Sequence, residues 1–268
     1  MSRSPLVLMY HGFGTRPPGA DPFNLFVPVR DFEAHLMAIR RYLRPLDLDR
    51  FLAGLRTGRW PPRSVLVTMD DGYASVLTEA APRLHAAGVP AVAFVCPGRF
   101  GGESAWMEET AGEPLLTADE VARLPELGVE VGVHSMDHTR LPGVDDEELH
   151  RQVMEARDVL AGVMGAPARA FAYPEGLWDP AAVRAVRRAG YQVAFAVDRG
   201  GDRFTVPRRA INTRDSRLTF LTKLLPGYAA LERLSKDHPR LRRAAARLAG
   251  QRPATGAGGE RPDGTGGP

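Results

Sequence analysis

The sequence contains a single cysteine, Cys96, which excludes an internal disulfide framework. It has no uninterrupted apolar run near the roughly 20 residues that a membrane-spanning helix needs. The apolar run at the N-terminus, LVLMY, is shorter than the about 7–15 apolar residues of a signal peptide. Glycine-rich fingerprints for dinucleotides or phosphates are also missing. These absences favour a cytoplasmic protein and give no support to a nucleotide-binding open sheet.

Charge is unevenly distributed along the 268 residues, whose net charge is +3. Residues 231–252 contain seven basic and two acidic side chains, so the rest of the chain is slightly acidic. Such a segment is most often a solvated helix, and the alternative is peripheral contact with a membrane surface or an anionic partner. No aromatic residues are interleaved with the basic ones, so nucleic-acid binding is not expected.

The composition predicts three parts. Residues 1–225 have the apolar content of one large domain with a substantial core. Residues 226–250 are predicted to form a basic helical segment. Residues 251–268, QRPATGAGGERPDGTGGP, lack core-forming side chains and are predicted to be a disordered tail.

Short apolar runs alternate with helical patterns through the first 212 residues. The predicted strands are LVLMY (6–10), SVLVTM (64–69), PAVAFVC (90–96), VEVGVHS (129–135), RAFAYP (169–174), YQVAFAV (191–197) and FTVPRRAIN (204–212). Alternation of this kind predicts a parallel sheet with crossover helices, and near-continuous apolar strands indicate burial on both faces. The strand count favours an α/β barrel related to the (β/α)8 TIM barrel over an open sheet.

Polar residues follow several of these strands directly. His11 follows the first strand, Asp70 and Asp71 follow the second, and His134 ends the fourth, with His138 four residues later. Parallel barrels carry their chemistry at the carboxyl ends of the strands. The sequence therefore predicts that these side chains meet at one end of the barrel.

A carboxylate and two neutral imidazoles form a ligand set for a divalent metal with open positions for water. If Asp71 is the ligand, Asp70 remains free to accept a proton from that water, and the metal offsets the repulsion between the two carboxylates. Taken alone, each feature has a simpler explanation. D-D-G is often a turn, H-x-x-x-H occurs on solvated helix faces, and His11 can be a satisfied buried histidine.

Three motifs in order make the chain resemble the NodB-homology polysaccharide deacetylases, the fourth carbohydrate esterase family. The family motifs T-F-D-D-G, H-[ST]-x-x-H and R-x-F-x-x-P-x-G stand here as T-M-D-D-G (68–72), H-S-M-D-H (134–138) and R-A-F-A-Y-P-E-G (169–176). The resemblance spans about residues 5–212. It implies a distorted (β/α)7 barrel and a metal-dependent hydrolase that removes N-acetyl groups from a sugar or glycan and releases acetate.

The resemblance also implies roles for individual residues. Asp70 corresponds to the catalytic base and Arg169 to the arginine that orients it. Tyr173 and Pro174 correspond to the wall of the acetyl-group groove. The implied metal ligands are Asp71, His134 and His138. The implied metal is zinc, with cobalt, nickel or iron in some members.

One departure concerns the general acid. Many members carry a late L-x-x-H motif, but after residue 176 this chain has only His238, which lies in the basic segment. A subgroup that deacetylates poly-N-acetylglucosamine uses an early Y-H motif instead, and this chain has L-M-Y-H-G at 8–12. The resemblance therefore implies that His11 is the general acid.

The substrate is less defined by the sequence. The loop 97–116 is the expected specificity loop, and its Trp106 can either stack on a sugar ring or serve as a packing residue. Relatives on the same scaffold cleave formamides, cyclic imides or ureides, so a deformylase or amidohydrolase acting on a non-sugar amide is an alternative. A catalytically inactive binding homologue is another, and metal content would distinguish it.

Overall fold

Buried strands and amphipathic helices alternate along a computed structural model that describes residues 4–106, 112–197, 200–225 and 228. The chain divides into two units, Met1–Phe220 and Leu221–Pro268, and the strands described below belong to the first. Apart from position 228, the predicted basic segment 226–250 and the tail 251–268 lie outside the described residues. Those two predictions stay predictions.

The elements follow one another in the order that the sequence pattern predicts. The strands are β1 (Leu6–Tyr10), β2 (Gly12–Phe13), β3 (Phe26–Val27), β4 (Arg44–Pro45), β5 (Ser64–Met69), β6 (Ala91–Val95), β7 (Val129–Val133), β8 (Ala170–Ala172), β9 (Val193–Val197) and β10 (Val206–Ala210). The helices are α1 (Val29–Tyr42), α2 (Leu48–Thr57), α3 (Ala81–Ala87), α4 (Ala118–Arg123), α5 (Asp146–His150), α6 (Ala156–Met164), α7 (Pro180–Arg188) and α8 (Arg217–Lys223). Two π-helical turns, Val76–Ala80 and Arg151–Glu155, precede α3 and α6.

Seven strands form a closed parallel barrel in the order β1-β10-β9-β8-β7-β6-β5, and β1 closes it by pairing with β5. Every residue of β5 is buried, as expected for a strand with side chains in the barrel on one face and helices on the other. The predicted (β/α)7 barrel is confirmed. The two-residue strands β2, β3 and β4 were not predicted, because so short a segment shows no alternation.

Helix α2 closes the amino-terminal end of the barrel. Its Phe51 and Leu52 belong to one buried cluster with Val7, Leu66 and other buried residues of the barrel strands. Burial of a phenylalanine of this kind contributes about 1.5–3 kcal/mol. With this end filled by apolar side chains, polar groups inside the barrel are confined to the opposite end.

The pleat of the strands decides which side chains enter the barrel at its carboxyl end. Successive side chains alternate between faces, so Leu66, Thr68 and Asp70 share the inner face of β5. Leu66 belongs to the apolar cluster, whereas Thr68 and Asp70 are buried polar residues. The barrel therefore changes from apolar to polar along its axis. No helix in the described ranges has the length and apolar character to cross a membrane.

Candidate active site

The turn after β5 presents two adjacent aspartates in different directions. The backbone N–H of Asp70 donates to the carbonyl of Tyr10 at 2.9 Å, which extends the pairing of β5 with β1 by one residue. Asp71 and Gly72 then adopt left-handed backbone conformations, with φ of 73° and 71°. A left-handed aspartate is uncommon, and here it turns the second carboxylate away from the first.

Asp71, His134 and His138 converge at the carboxyl end of the barrel, and all three are buried. One Asp71 oxygen, Oδ1, lies 3.4 Å from His134 Nε2 and 3.3 Å from His138 Nε2. Asp71 Oδ1 has no hydrogen-bond partner among the described residues. One potential ligand atom from each side chain thus lies within 4.8 Å of the others.

This arrangement fits a divalent metal ion. Ligand atoms about 2.0–2.2 Å from a tetrahedral zinc ion lie about 3.3–3.5 Å from one another, which matches the separations of Asp71 Oδ1 from the two imidazole nitrogens. The carbonyl of Ala172 lies 2.8 Å from His134 Nδ1 and accepts its proton, so Nε2 is left to face Asp71. A metal-binding histidine is commonly oriented in this way.

Asp70 is held by Arg208, a residue inside β10. The guanidinium donates to both carboxylate oxygens at 2.6 Å, and the side chains of both residues are buried. Burial alone would raise the pKa of Asp70, but the Arg208 charge and hydrogen bonds hold that pKa below its usual value. Thr68 Oγ1 accepts from Arg208 at 3.2 Å and donates to the Leu8 carbonyl. Asp70 is therefore fixed and ionised.

The prediction that Arg169 orients Asp70 is wrong. Arg169 precedes β8, at the amino-terminal end of the barrel, where its guanidinium donates to Glu130 at 2.8 Å and also pairs with Asp49 of α2. Asp70 follows β5 at the opposite end. The Arg169 side chain cannot span the length of the barrel, and Arg208 is the arginine that pairs with Asp70.

His11 lies beside Asp70, because β1 and β5 pair in the register Tyr10↔Met69. Its Nδ1 atom is buried and has no hydrogen-bond partner in the described part of the chain. Burial lowers the pKa of His11, and the charges of Asp71 and Asp70 act in the opposite direction. The structure thus brings together Asp70, Asp71, His134, His138 and His11.

Tyr173 points away from the barrel interior. Its ring packs edge-on against Phe171 at 5.3 Å, its hydroxyl donates to the Phe204 carbonyl at 3.0 Å, and its backbone N–H donates to the Phe195 carbonyl. Both of these donors of Tyr173 are therefore occupied. Pro174, the other residue of the predicted groove wall, is buried and begins the short helical turn Pro174–Gly176.

Trp106 covers one side of the metal-site candidate. Its ring stacks on His138 at 4.4 Å and 15°. Its indole Nε1 is buried without a hydrogen-bond partner in the described ranges. The apolar neighbours Phe26, Tyr73 and Leu115 form a small cluster against which Trp106 packs. Trp106 thus serves as a packing residue and also offers an unused donor next to the site.

A comparison with family models matches residues 57–194, slightly more than half of the chain, to the family described as polysaccharide deacetylase. Among curated proteins, a putative polysaccharide deacetylase, YxkH of Bacillus subtilis, is 22% identical over 198 residues, which cover 72% of this chain and 64% of that protein. The poly-beta-1,6-N-acetyl-D-glucosamine N-deacetylase of Staphylococcus aureus is 22% identical over 65% of this chain and 62% of its own length. The chain therefore spans slightly less than two thirds of each curated relative.

Solved structures share the fold. The deacetylase PplD of Streptococcus pyogenes superposes with a TM-score of 0.74 at 19% identity, covering 84% of this chain and all of that one. IcaB of Ammonifex degensii has a TM-score of 0.70 at 25% identity and covers 82% of this chain and 97% of its own.

Proposed function

Because the chain belongs to the polysaccharide deacetylase family, we propose that it is a metal-dependent hydrolase that removes N-acetyl groups from an N-acetylated sugar or glycan. Water adds to the acetyl carbon, the carbon–nitrogen bond breaks, and acetate and a free amino sugar leave. The observation that carries the proposal is that the two adjacent aspartates have different partners. Asp71 faces two imidazoles, whereas Asp70 is paired with a buried arginine.

The metal would be held by Asp71, His134 and His138, and zinc suits this set of one oxygen and two nitrogen ligands. When bound, such an ion polarises a carbonyl and lowers the pKa of its water from about 15.7 towards 7. Asp70 Oδ2 lies 3.9 Å from His134 Nε2, so the carboxylate that pairs with Arg208 lies next to the ligand set. This proximity supports Asp70 as the group that accepts a proton from the attacking water.

His11 is proposed as the general acid that protonates the departing amine. An imidazole is the side chain best suited to give up a proton near neutral pH. Burial lowers the pKa of His11, which makes its protonated form a stronger acid, and the charges of Asp71 and Asp70 oppose that shift. The unpartnered Nδ1 shows that the ring is not committed to a structural hydrogen bond there among the described residues.

We expect the effect of His11→Gln on the hydrolysis rate to depend on the leaving group of the substrate. Hydrolysis of an N-acetyl amide should slow about 100-fold or more, since an amine needs a proton to leave. Hydrolysis of an aryl acetate should change little, because a phenolate leaves without one. His85→Gln, an exposed position on α3, is the control. Equal losses on both substrates in His11→Gln would contradict the role of general acid.

Trp106 is proposed to border the substrate at the metal-site candidate. One ring face is covered by His138 and the ring also packs against Tyr73, so a sugar would meet the part of the half-buried side chain that stays exposed. We expect Trp106→Ala to raise KM for an acetylated oligosaccharide about 10-fold, the value of one lost contact of about 1.4 kcal/mol. Zinc affinity should stay the same. A fall in zinc affinity without a change in KM would instead make Trp106 a support for His138.

The substrate class rests on chemistry and on the relatives. A curated relative is named for deacetylating poly-beta-1,6-N-acetyl-D-glucosamine, which supports an N-acetylated glucosamine glycan here. The test is to supply the same oligosaccharide as N-acetyl, N-formyl and O-acetyl derivatives. We expect acetate and new amino groups in equal amounts from the N-acetyl form. Faster release of formate from the N-formyl form would favour the deformylase alternative.

A further inference from the structure

The loop between the two ligand histidines has an unusual backbone. Ser135 and His138 both adopt left-handed conformations, with φ of 62° and 70°. Each such residue costs of order 1–3 kcal/mol and persists only where the surrounding structure holds it. The loop itself has no regular secondary structure, so the restraint has to come from outside it.

Gln152, in the helix that follows the loop, supplies one part of that restraint, and the Gly98 N–H, which donates to the Met136 carbonyl at 2.8 Å, supplies another. The Gln152 side chain is fully buried. Its Oε1 accepts from the backbone N–H of Met136 at 2.9 Å and lies 3.4 Å from that of Asp137. Its Nε2 donates to Asp137 Oδ1 and to Glu148 Oε1, both at 2.7 Å. Both ends of the carboxamide are used.

The orientation of the carboxamide follows from its partners. Two backbone donors face one end, which must be the oxygen, and two carboxylates face the other, which must be the nitrogen. A glutamate at this position would keep the first contacts and turn the second pair into repulsion between carboxylates. Glutamine is therefore the side chain that satisfies both groups.

The local helix geometry points to the same residue. Gln152 lies in the π-helical turn Arg151–Glu155, which interrupts the helical run between α5 and α6. Single π-helical turns inside α-helices are rare and occur frequently at functional sites. The neighbouring Arg151 completes the network, because its Nη2 donates to Asp137 and to Glu148 at 2.7 Å.

We propose that Gln152 is a positioning residue for the metal site, which clamps the 135–138 loop so that His134 and His138 face Asp71 together. The proposal rests on the proposed metal-dependent function, since it needs the three residues to be ligands. Gln152 does not touch the metal or the substrate, and its effect passes through the backbone of Met136 and Asp137.

The test is the zinc dissociation constant, measured by competition with a chromophoric chelator. We expect Gln152→Glu to bind zinc about 10- to 100-fold more weakly than the wild type, as is usual when a ligand loses its supporting partner. Adding Glu148→Gln should restore part of the affinity, because an amide at 148 can donate to the new carboxylate. Glu155→Gln changes an exposed residue of the same π-helical turn and should leave the zinc affinity unchanged.

The other possible results of this experiment also decide for or against the role of Gln152. Wild-type zinc affinity in a folded Gln152→Glu protein would overturn the inference and leave the proposed function standing, whereas a wild type without zinc affinity would overturn both. If Gln152→Glu loses its native circular dichroism spectrum, Gln152→Met keeps the length without adding charge and should show the same weakened binding. Wild-type affinity in Gln152→Met, or loss of folding in both variants, would refute a role confined to the loop.

Discussion

Asp70→Asn should impair the chemical step and Asp71→Asn should impair zinc binding, although the two residues are adjacent and the substitutions are identical. In Asp70→Asn we expect kcat to fall by about 10²–10⁴-fold, since the amide cannot accept a proton, while zinc remains bound. In Asp71→Asn we expect zinc affinity to fall by at least about 100-fold, more than the usual effect of a supporting residue. Zinc content after dialysis and kcat with added zinc measure the two effects.

The two variants act as controls for each other. Both remove one negative charge from the same buried turn, so a general electrostatic or folding effect would appear in both. Retained turnover in Asp70→Asn would contradict its assignment as the base. Full zinc content in Asp71→Asn would contradict its assignment as a ligand.

Arg208→Met should reduce activity and change its pH dependence. The Arg208 charge and hydrogen bonds lower the pKa of Asp70 against the effect of burial. Without Arg208 the pKa of Asp70 rises, so the carboxylate is protonated at higher pH and the acid limb of kcat/KM moves to higher pH. Breaking a buried pair also costs about 3–5 kcal/mol of stability, which thermal unfolding will show.

Arg169→Met is the matched control at the other end of the barrel. Arg169 pairs with Glu130 and with the mostly exposed Asp49, and we expect a stability loss of about 1 kcal/mol with an unchanged pH profile. The activity of Arg208→Lys and the position of its acid limb should lie between those of the wild type and of Arg208→Met. Lysine keeps the positive charge but cannot form the paired hydrogen bonds of arginine. An acid limb that moves in Arg169→Met and stays in Arg208→Met would reverse the assignment.

The barrel and most of the site could be predicted because both depend on local patterns. Apolar runs that alternate with helical segments specify a parallel barrel, and residues directly after a strand must lie at its carboxyl end. This reasoning places Asp70, Asp71, His134 and His11 correctly. His138 follows because only a short loop separates it from His134.

The arginine was assigned wrongly because its position depends on long-range geometry. Arg169 is close in sequence to the third motif, but it comes before the short strand β8, and its side chain therefore serves the opposite end of the barrel. Arg208 reaches Asp70 only because β10 and β5 both pair with β1. One signal was available: VPRRA places two arginines in a strand of a buried barrel, and a buried charge needs a partner.

Gln152 was not predicted for a related reason. A glutamine within a polar helical pattern is ordinarily read as solvent-exposed. In the structure Gln152 lies in a π-helical turn and contacts the 135–138 loop, a long-range contact that the helical pattern does not indicate. The packing of Trp106 likewise depends on a loop, which has no sequence periodicity. The direction of Tyr173 instead follows the strand alternation that puts Ala170 and Ala172 in the inner cluster and Tyr173 beside Phe171.

The account depends most directly on acetate release in proportion to zinc occupancy. We would prepare metal-free protein with a chelator, add zinc in steps up to one ion per chain, and measure acetate released from N-acetylglucosamine oligomers at each step. The account predicts no release without zinc and a linear increase that ends at one zinc per chain. Acetate release that is undiminished in the metal-free protein, or no release at full zinc occupancy, would contradict it.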